Sequence, residues 1–365
     1  MVLSTGLNFA FLCKEKPSSI GKKIAIIGAG PAGLVAAGYL ACNGFDVDVY
    51  EKLPRPGGMM VFAIPPWRIP RERVFNAISL LEEKYGVKFI LKTKVYYGEP
   101  HHEEGDEFVE KTASIEELVN NYDAVLITTG TWRSRIPKVT GSDAENVVGA
   151  LEYVYKHRLK EMGYVDKVPY EGRQVIVIGG GYSAVDAAEQ AVFDKAEEVY
   201  LVYRRTIAQA PAGIYEIERI KRLGVEVIEL ASPIEIIKQD NKAVAVKFQR
   251  MKLGEPDESG RPRPIPIPGS EFTLNADLVI FATGEAPTPP LPEDKEVMEK
   301  LGIHVEWGRI VVDENYRTKN PKIFAAGDVV TGPSRIGQAI KTALYAARSI
   351  HNYLKAVSVK LVPTP

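Results

Sequence analysis

Gly28, Gly30 and Gly33 stand in the spacing GxGxxG, and an acid, Glu51, follows about 20 residues further on, where a dinucleotide fingerprint places one. That spacing can hold a pyrophosphate. The first glycine allows a tight turn, the second lets backbone N–H groups approach a phosphate, and the third lets a helix pack closely on a strand. A carboxylate at the position of Glu51 can accept hydrogen bonds from ribose hydroxyls. The segment PRPGG, residues 54–58, adds Gly57 and Gly58 as a second backbone approach to the same phosphates. A second fingerprint, Gly179, Gly181 and Ala184, reads GxGxxA. There the corresponding strand end carries Arg204 and Arg205 in place of an acid. A guanidinium fork suits the 2′-phosphate of NADP, which a carboxylate would repel.

A third constellation lies near the C-terminus. Asp328, in FAAGDVV, sits where a strand ends, and its carboxylate could bind a ribityl hydroxyl of a flavin. The helix that follows offers the N–H groups of Gly337, Gln338 and Ala339, and the positive end of its dipole, to the flavin's pyrimidine edge. Each feature also has a bland reading: Asp328 as a turn residue, the arginine pair as solvated surface. The acidic segment HHEEGDEFVEK, residues 101–111, has no periodicity and reads as a solvated loop. No Ser/His/Asp set or paired carboxylates call for hydrolytic chemistry, so no side chain is assigned as catalytic. The five histidines are scattered, with His101 and His102 solvent-facing and His157 and His304 single positions, and no metal site is expected.

These residues need strands and helices to position them. From Lys22, KKIAIIGAGPAGLVAAGYLACNGFDVDVYEK divides into strand, glycine turn, helix and strand, a βαβ unit. From Arg173, RQVIVIGGGYSAVDAAEQAVFDKAEEVYLVYRR repeats it, so two nucleotide-sized sites are expected. VKFIL and YDAVLITTG read as further strands, the latter ending in Thr129 and Gly130, small residues suited to close approach. ADLVIFATG, residues 276–284, has the same form and ends in Thr283 and Gly284. Helices are expected over 214–223 and 337–354, strands near VEVIEL and AVAVKFQ, and a loop at RPRPIPIPG.

The 365 residues are 45% hydrophobic and 25% charged, enough for two domains of ordinary globular composition. Lys and Arg number 46 against 47 Asp and Glu, which gives no reason to expect nucleic acid. A bilayer span takes about 20 consecutive apolar residues. No apolar run here is that long, so no membrane span is expected and the protein reads as soluble. MVLSTGLNFAFLC lacks a basic start and a small-residue cleavage site, and reads as an arm. The two cysteines, Cys13 and Cys42, form no CxxC pair and no metal-ligand spacing. They are therefore expected to supply neither an iron–sulfur cluster nor a dithiol, leaving electron transfer to a bound organic cofactor in a reducing cytoplasm.

The pieces GAGPAG, YEKLPRPGG, IPPWRIPRERV, YDAVLITTG, VIGGGYSAVDAA, YRR, ADLVIFATG and IFAAGDVVTGPS, in this order over residues 22–350, resemble the two-dinucleotide-domain flavoprotein reductases of the pyridine nucleotide-disulfide reductase superfamily. Among these, IPPWRIP and YRR resemble the small (beta) subunit of glutamate synthase. The resemblance implies an α/β fold of two Rossmann-like, three-layer dinucleotide-binding domains, the NAD(P) domain inserted into the FAD domain. It divides the chain into an arm (1–21), an FAD domain (22–140 and 275–357, ending in a helix) and an NAD(P)H domain (141–274). FAD would be held by Gly28, Gly30, Pro31, Ala32, Gly33, Glu51, Lys52, Gly57, Gly58, Val95, Thr129, Gly130, Gly327, Asp328, Gly337, Gln338 and Ala339. Ile64, Pro65 and Arg68 would lie near its ring. NADPH, in preference to NADH, would be held by Gly179, Gly181, Ala184, Arg204 and Arg205, with Tyr182, Ser183, Thr283 and Gly284 as further expected cofactor-binding residues.

The implied activity is hydride transfer from NADPH to FAD, with electrons passing to a partner subunit, an iron–sulfur protein or a small acceptor, in a protein expected to be an oligomer. Two rival readings are a flavoprotein dehydrogenase acting on an organic substrate and a non-catalytic nucleotide-binding subunit. Three departures from the family stand out. Only the short arm, with Cys13 as its one cysteine, precedes the first strand, where the family's small subunit has a cysteine-rich iron–sulfur domain. Ala63 stands where glycine is common, and GQAIKTALYAA lacks the usual Gly-Arg after Ala-Ile.

Overall fold

The computed structural model describes residues 7–257 and 260–360, and of 357–360 the backbone alone. The start of the expected arm, residues 1–6, lies outside the described residues. The chain forms two compact units, Met1–Arg133 with Ala286–Pro365, and Ser134–Glu285.

In chain order, the first unit contributes β1 (Lys23–Ile27), α1 (Pro31–Ala41), β2 (Asp46–Tyr50), β3 (Lys88–Ile90) and β4 (Ala124–Ile127). The second contributes β5 (Val147–Gly149), β6 (Gln174–Ile178), α2 (Tyr182–Phe193), β7 (Glu198–Tyr203), α3 (Ile214–Arg222), β8 (Glu226–Glu229), β9 (Ala231–Gln239), β10 (Lys242–Pro256), β11 (Pro262–Asn275) and β12 (Leu278–Phe281). The chain then returns to the first unit with β13 (Ile323–Ala325) and α4 (Ile336–Lys360).

The first unit's sheet is wholly parallel, in the order β13-β4-β1-β2-β3. Strands covered on both faces must be apolar throughout, and IAII of β1 and AVLI of β4 are buried at every position. The order reverses at β1, whose neighbours are β2 and β4, and ligands bind beyond the carboxyl ends of strands at such a switch point. The second unit's sheet, also parallel, runs β8-β7-β6-β12-β5 and reverses at β6 in the same way.

Three sequence expectations are corrected. RPRPIPIPG is not a loop but the start of β11, in the antiparallel ladder β9-β10-β11. As an edge strand β11 can point the N–H side of alternate residues to solvent, which is where proline is tolerated. Cys13 and Cys42 form a disulfide, with Cα atoms 5.5 Å apart. Their separation of 29 residues is spanned because the arm folds back over α1, burying Phe9 and Ala10 where Gly38 leaves room for the Phe9 carbonyl. The acidic segment 101–111 is not simply solvated, since Glu103 is 7% exposed. No helix among the described residues is long and apolar enough to cross a membrane.

Candidate functional site

In the first unit a cleft opens at the switch point. Gly28, with φ of +98°, makes the turn out of β1, and a Cβ there would sit 2.6 Å from the Thr128 carbonyl oxygen at the end of β4. A Cβ on Gly33 would collide with the Gly28 carbonyl, so glycine sets how closely α1 approaches the turn. A Cβ on Gly30 would meet nothing within 4 Å, and this glycine lines the cleft. Gly57 donates its N–H to Ala29 O at 2.8 Å, and Gly58 lies against Gly30, where a Cβ would come within 2.8 Å of the Gly30 Cα. PRPGG thus packs on the glycine turn as a second backbone wall.

Glu51 directly follows β2 and is 5% exposed. Its Oε2 accepts from Ala29 N at 2.8 Å and its Oε1 from Leu53 N at 3.0 Å, which fixes the carboxyl in the cleft wall. Burial pushes this carboxyl above the usual range, against the backbone donors that favour its charged form. Asp328 also lines the cleft. Burial raises its pKa too, opposed by the Ser334 hydroxyl, which donates to its Oδ1 at 2.5 Å.

Of the residues expected to hold FAD, Gly28, Gly30, Pro31, Ala32, Glu51, Lys52, Gly58, Ile64, Val95, Thr129, Gly130, Asp328 and Ala339 line this one cleft. Gly33, Gly57, Pro65, Arg68, Gly327, Gly337 and Gln338 do not. The amides of Gln338 and Ala339 donate to Arg335 O at 2.9 and 3.2 Å, so the first turn of α4 already engages donors expected to face a ligand. Sequence reasoning missed Lys94, Tyr96, Glu103 and Trp132 in the wall. Trp132, two residues past the small pair at the end of β4, had a local signal; Glu103 had none.

The second unit repeats the glycine turn. Gly179 has φ of +152°, and a Cβ there would collide with Ala282 O just past β12. A Cβ on Gly181 would again meet open space. Ala184 is fully buried and Tyr182 is 39% exposed. Ser183 donates to Glu285 at 3.1 Å. Thr283 Oγ1 donates to Arg135 O at 2.5 Å, and Gly284 O accepts from Arg135 N at 2.9 Å. The arginines expected to act as a pair are divided. Arg205 is 1% exposed, donates its Nε to Pro262 O at 2.7 Å and pairs with Asp257 at 2.5 Å, so it fastens the β10–β11 hairpin tip. Arg204 is the exposed member, its pKa lowered by partial desolvation and by the charges of Arg205 and Arg261.

His157 is buried and bonded to Asp194 at 2.6 Å and to Tyr153 O at 2.7 Å. Among the described residues no group of three or more His, Cys, Asp or Glu is placed to hold a metal ion.

Residues 22–346 match the model of the pyridine nucleotide-disulphide oxidoreductase family. The chain is 36% identical to the NADPH glutamate synthase small chain of Azospirillum brasilense, over 92% of this chain and 67% of that one. It is 37% identical to the NADP(+)-dependent formate dehydrogenase subunit beta of Moorella thermoacetica, over 92% and 44%. It spans about half the length of several of the curated relatives it matches. Among solved structures, Mycobacterium tuberculosis FprA in complex with NADPH superposes with a TM-score of 0.73 at 21% identity, over 94% of this chain and 87% of that one, a likeness of fold.

Proposed function

The chain belongs to the pyridine nucleotide-disulphide oxidoreductase family, and we propose that it is an FAD-dependent NADPH oxidoreductase that passes electrons to a partner subunit, an iron–sulfur protein or a small acceptor. The observation that carries this reading is the contrast between two parallel sheets that each reverse order at the strand before a glycine turn: the strand after the first turn, β2, leads into a buried carboxylate in a cleft, and the strand after the second, β7, leads into arginines.

The first cleft fits FAD. Gly28 and Gly30 leave backbone and open space for a pyrophosphate, Glu51 is fixed as an acceptor for ribose hydroxyls, and Asp328 is an acceptor for the ribityl chain. When bound, FAD supplies the redox chemistry, taking hydride from the nicotinamide. In the second unit Gly179 and Gly181 open the turn to the nucleotide's pyrophosphate, and Arg204 supplies a charged fork for a 2′-phosphate. These side chains bind and orient; none is required as a general acid or base.

Names of relatives that call them a small chain or a subunit beta support a partner for this chain. An oligomeric protein belongs to the same reading; the Cys13–Cys42 disulfide removes the argument from unpaired thiols for a reducing cytoplasm. The test is an anaerobic visible spectrum of the purified protein titrated with NADPH and, separately, with NADH. Flavin bands that bleach at lower NADPH than NADH are expected. Bands that persist favour an organic electron donor, and absent bands favour a non-catalytic subunit.

A further inference from the structure

The loop over residues 101–110 supplies two anions, the buried Glu103 and the partly buried Asp106, to two buried lysines, Lys52 and Lys94. Lys52 Nζ lies 2.7 Å from Glu103 Oε2, and Lys94 Nζ lies 2.7 Å from Asp106 Oδ2. The cross distances are 3.6 Å, Lys52 to Asp106, and 3.9 Å, Lys94 to Glu103. Two cations and two anions therefore alternate, and the side chains of Lys52, Lys94 and Glu103 are 9%, 7% and 9% exposed. Backbone groups tighten the set: Asp106 Oδ2 accepts from Glu103 N at 3.0 Å, and Lys94 Nζ donates to His101 O at 2.9 Å.

The loop is also pressed onto the chain just past Glu51. Gly105 has φ of +97°, and a Cβ there would come within 2.6 Å of Leu53 Cδ2, two residues past Glu51. Glu104 N donates to Trp132 O at 3.1 Å, and Lys52 Nζ stands 5.1 Å from the centre of the Trp132 ring. Lys52, Lys94, Glu103 and Trp132 all line the cleft, as Glu51 does. A buried ion pair is weak evidence for stability, because desolvation offsets its attraction, but it fixes geometry, and losing one member leaves an uncompensated buried charge. This set has the properties of a fastened wall.

We propose that the 101–110 loop closes the end of the cleft that receives the adenosine half of FAD, and that Lys52, Lys94, Glu103 and Asp106 are positioning residues that make the first unit select FAD over a flavin lacking the adenylate. This rests on the reading of the first cleft as an FAD site. Removing one charge loosens the wall around the adenosine and leaves the rest of the cleft intact.

The test uses full-length protein stripped of flavin, with affinities for FAD and for FMN measured by fluorescence quenching. In Glu103→Gln the FAD affinity is expected to fall on the order of tenfold or more, while FMN affinity holds, so that the preference for FAD shrinks. A parallel loss for both flavins makes the network merely structural and overturns the proposal, as does an unchanged FAD affinity. Wild-type protein that binds FAD no better than FMN also overturns it while leaving the FAD reading standing; wild-type protein that binds neither overturns both. Should the variant fail to fold, amide hydrogen exchange on the wild type decides: FAD, and not FMN, is expected to protect the amides of residues 103–106, and equal protection by both sinks the idea.

Discussion

The two glycine turns of this chain are built alike and finished differently. In each, the first glycine takes a positive φ and crowds the carbonyl just past a neighbouring strand, Thr128 O in one and Ala282 O in the other, while the second faces open space. The difference is at the end of the next strand. Glu51 is held by two backbone N–H groups in the cleft wall, whereas Arg204 is exposed beside a buried Arg205. On the proposed reading one backbone frame serves two ligands because the frame presents N–H groups, and the residue after the strand decides what the far end of the nucleotide must carry.

The largest expected effect separates the two turns outright. Gly30→Leu fills the open space at the first turn and should yield protein without FAD, read as the flavin-to-protein absorbance ratio after purification. Gly181→Leu fills the equivalent space at the second and should leave that ratio unchanged while NADPH affinity falls by at least tenfold, on the order of 1.4 kcal/mol or more. Loss of FAD in both variants would break the comparison.

How much of this could be read from the sequence follows from how local each constraint is. The fingerprints were legible because glycine spacing, strand burial and the strand-end residue all lie within about 30 residues of one another. RPRPIPIPG was misread because proline argues against a strand until one knows the strand is at an edge. The 101–110 loop gave no signal, since Glu103 finds Lys52 across 51 residues of sequence and no periodicity records such a contact. Arg205 was chosen for the right residue type, but its partner Asp257 lies 52 residues away on a hairpin tip, and nothing local distinguishes it from Arg204.

The arginines sharpen the comparison at a smaller scale. Arg204→Ala should weaken NADPH by about 1–3 kcal/mol and leave NADH nearly unchanged, as expected for charge-assisted bonds to a 2′-phosphate. Arg205→Ala withdraws a buried guanidinium from Asp257 and from Pro262 O. It should lower the melting temperature and weaken both nucleotides alike. Michaelis constants for the two cofactors together with a thermal melt separate the outcomes, and selective loss of NADPH in Arg205→Ala would return that residue to the phosphate.

The smallest effect concerns protonation, and here two carboxyls in the first unit's cleft, the buried Glu51 and the half-buried Asp328, are held above the ordinary range chiefly by desolvation. The ordinary values lie near about 3.9 for Asp and about 4.3 for Glu. A raised pKa means that the flavin-free fold takes up a proton more readily than the unfolded chain. The stability this contributes is present below the ordinary value and is lost as pH rises through the raised one. FAD binding has the opposite sign, because an ionised carboxylate is the better acceptor for ribityl and ribose hydroxyls. Between the ordinary and the raised values, acidification should therefore favour the empty fold and weaken FAD, by about 1 kcal/mol for each carboxyl protonated. In Asp328→Asn the fall of FAD affinity with acid should be shallower than in the wild type, the remaining slope belonging to Glu51. Equal slopes, measured by FAD titration across that window, would remove Asp328 from the ligand set.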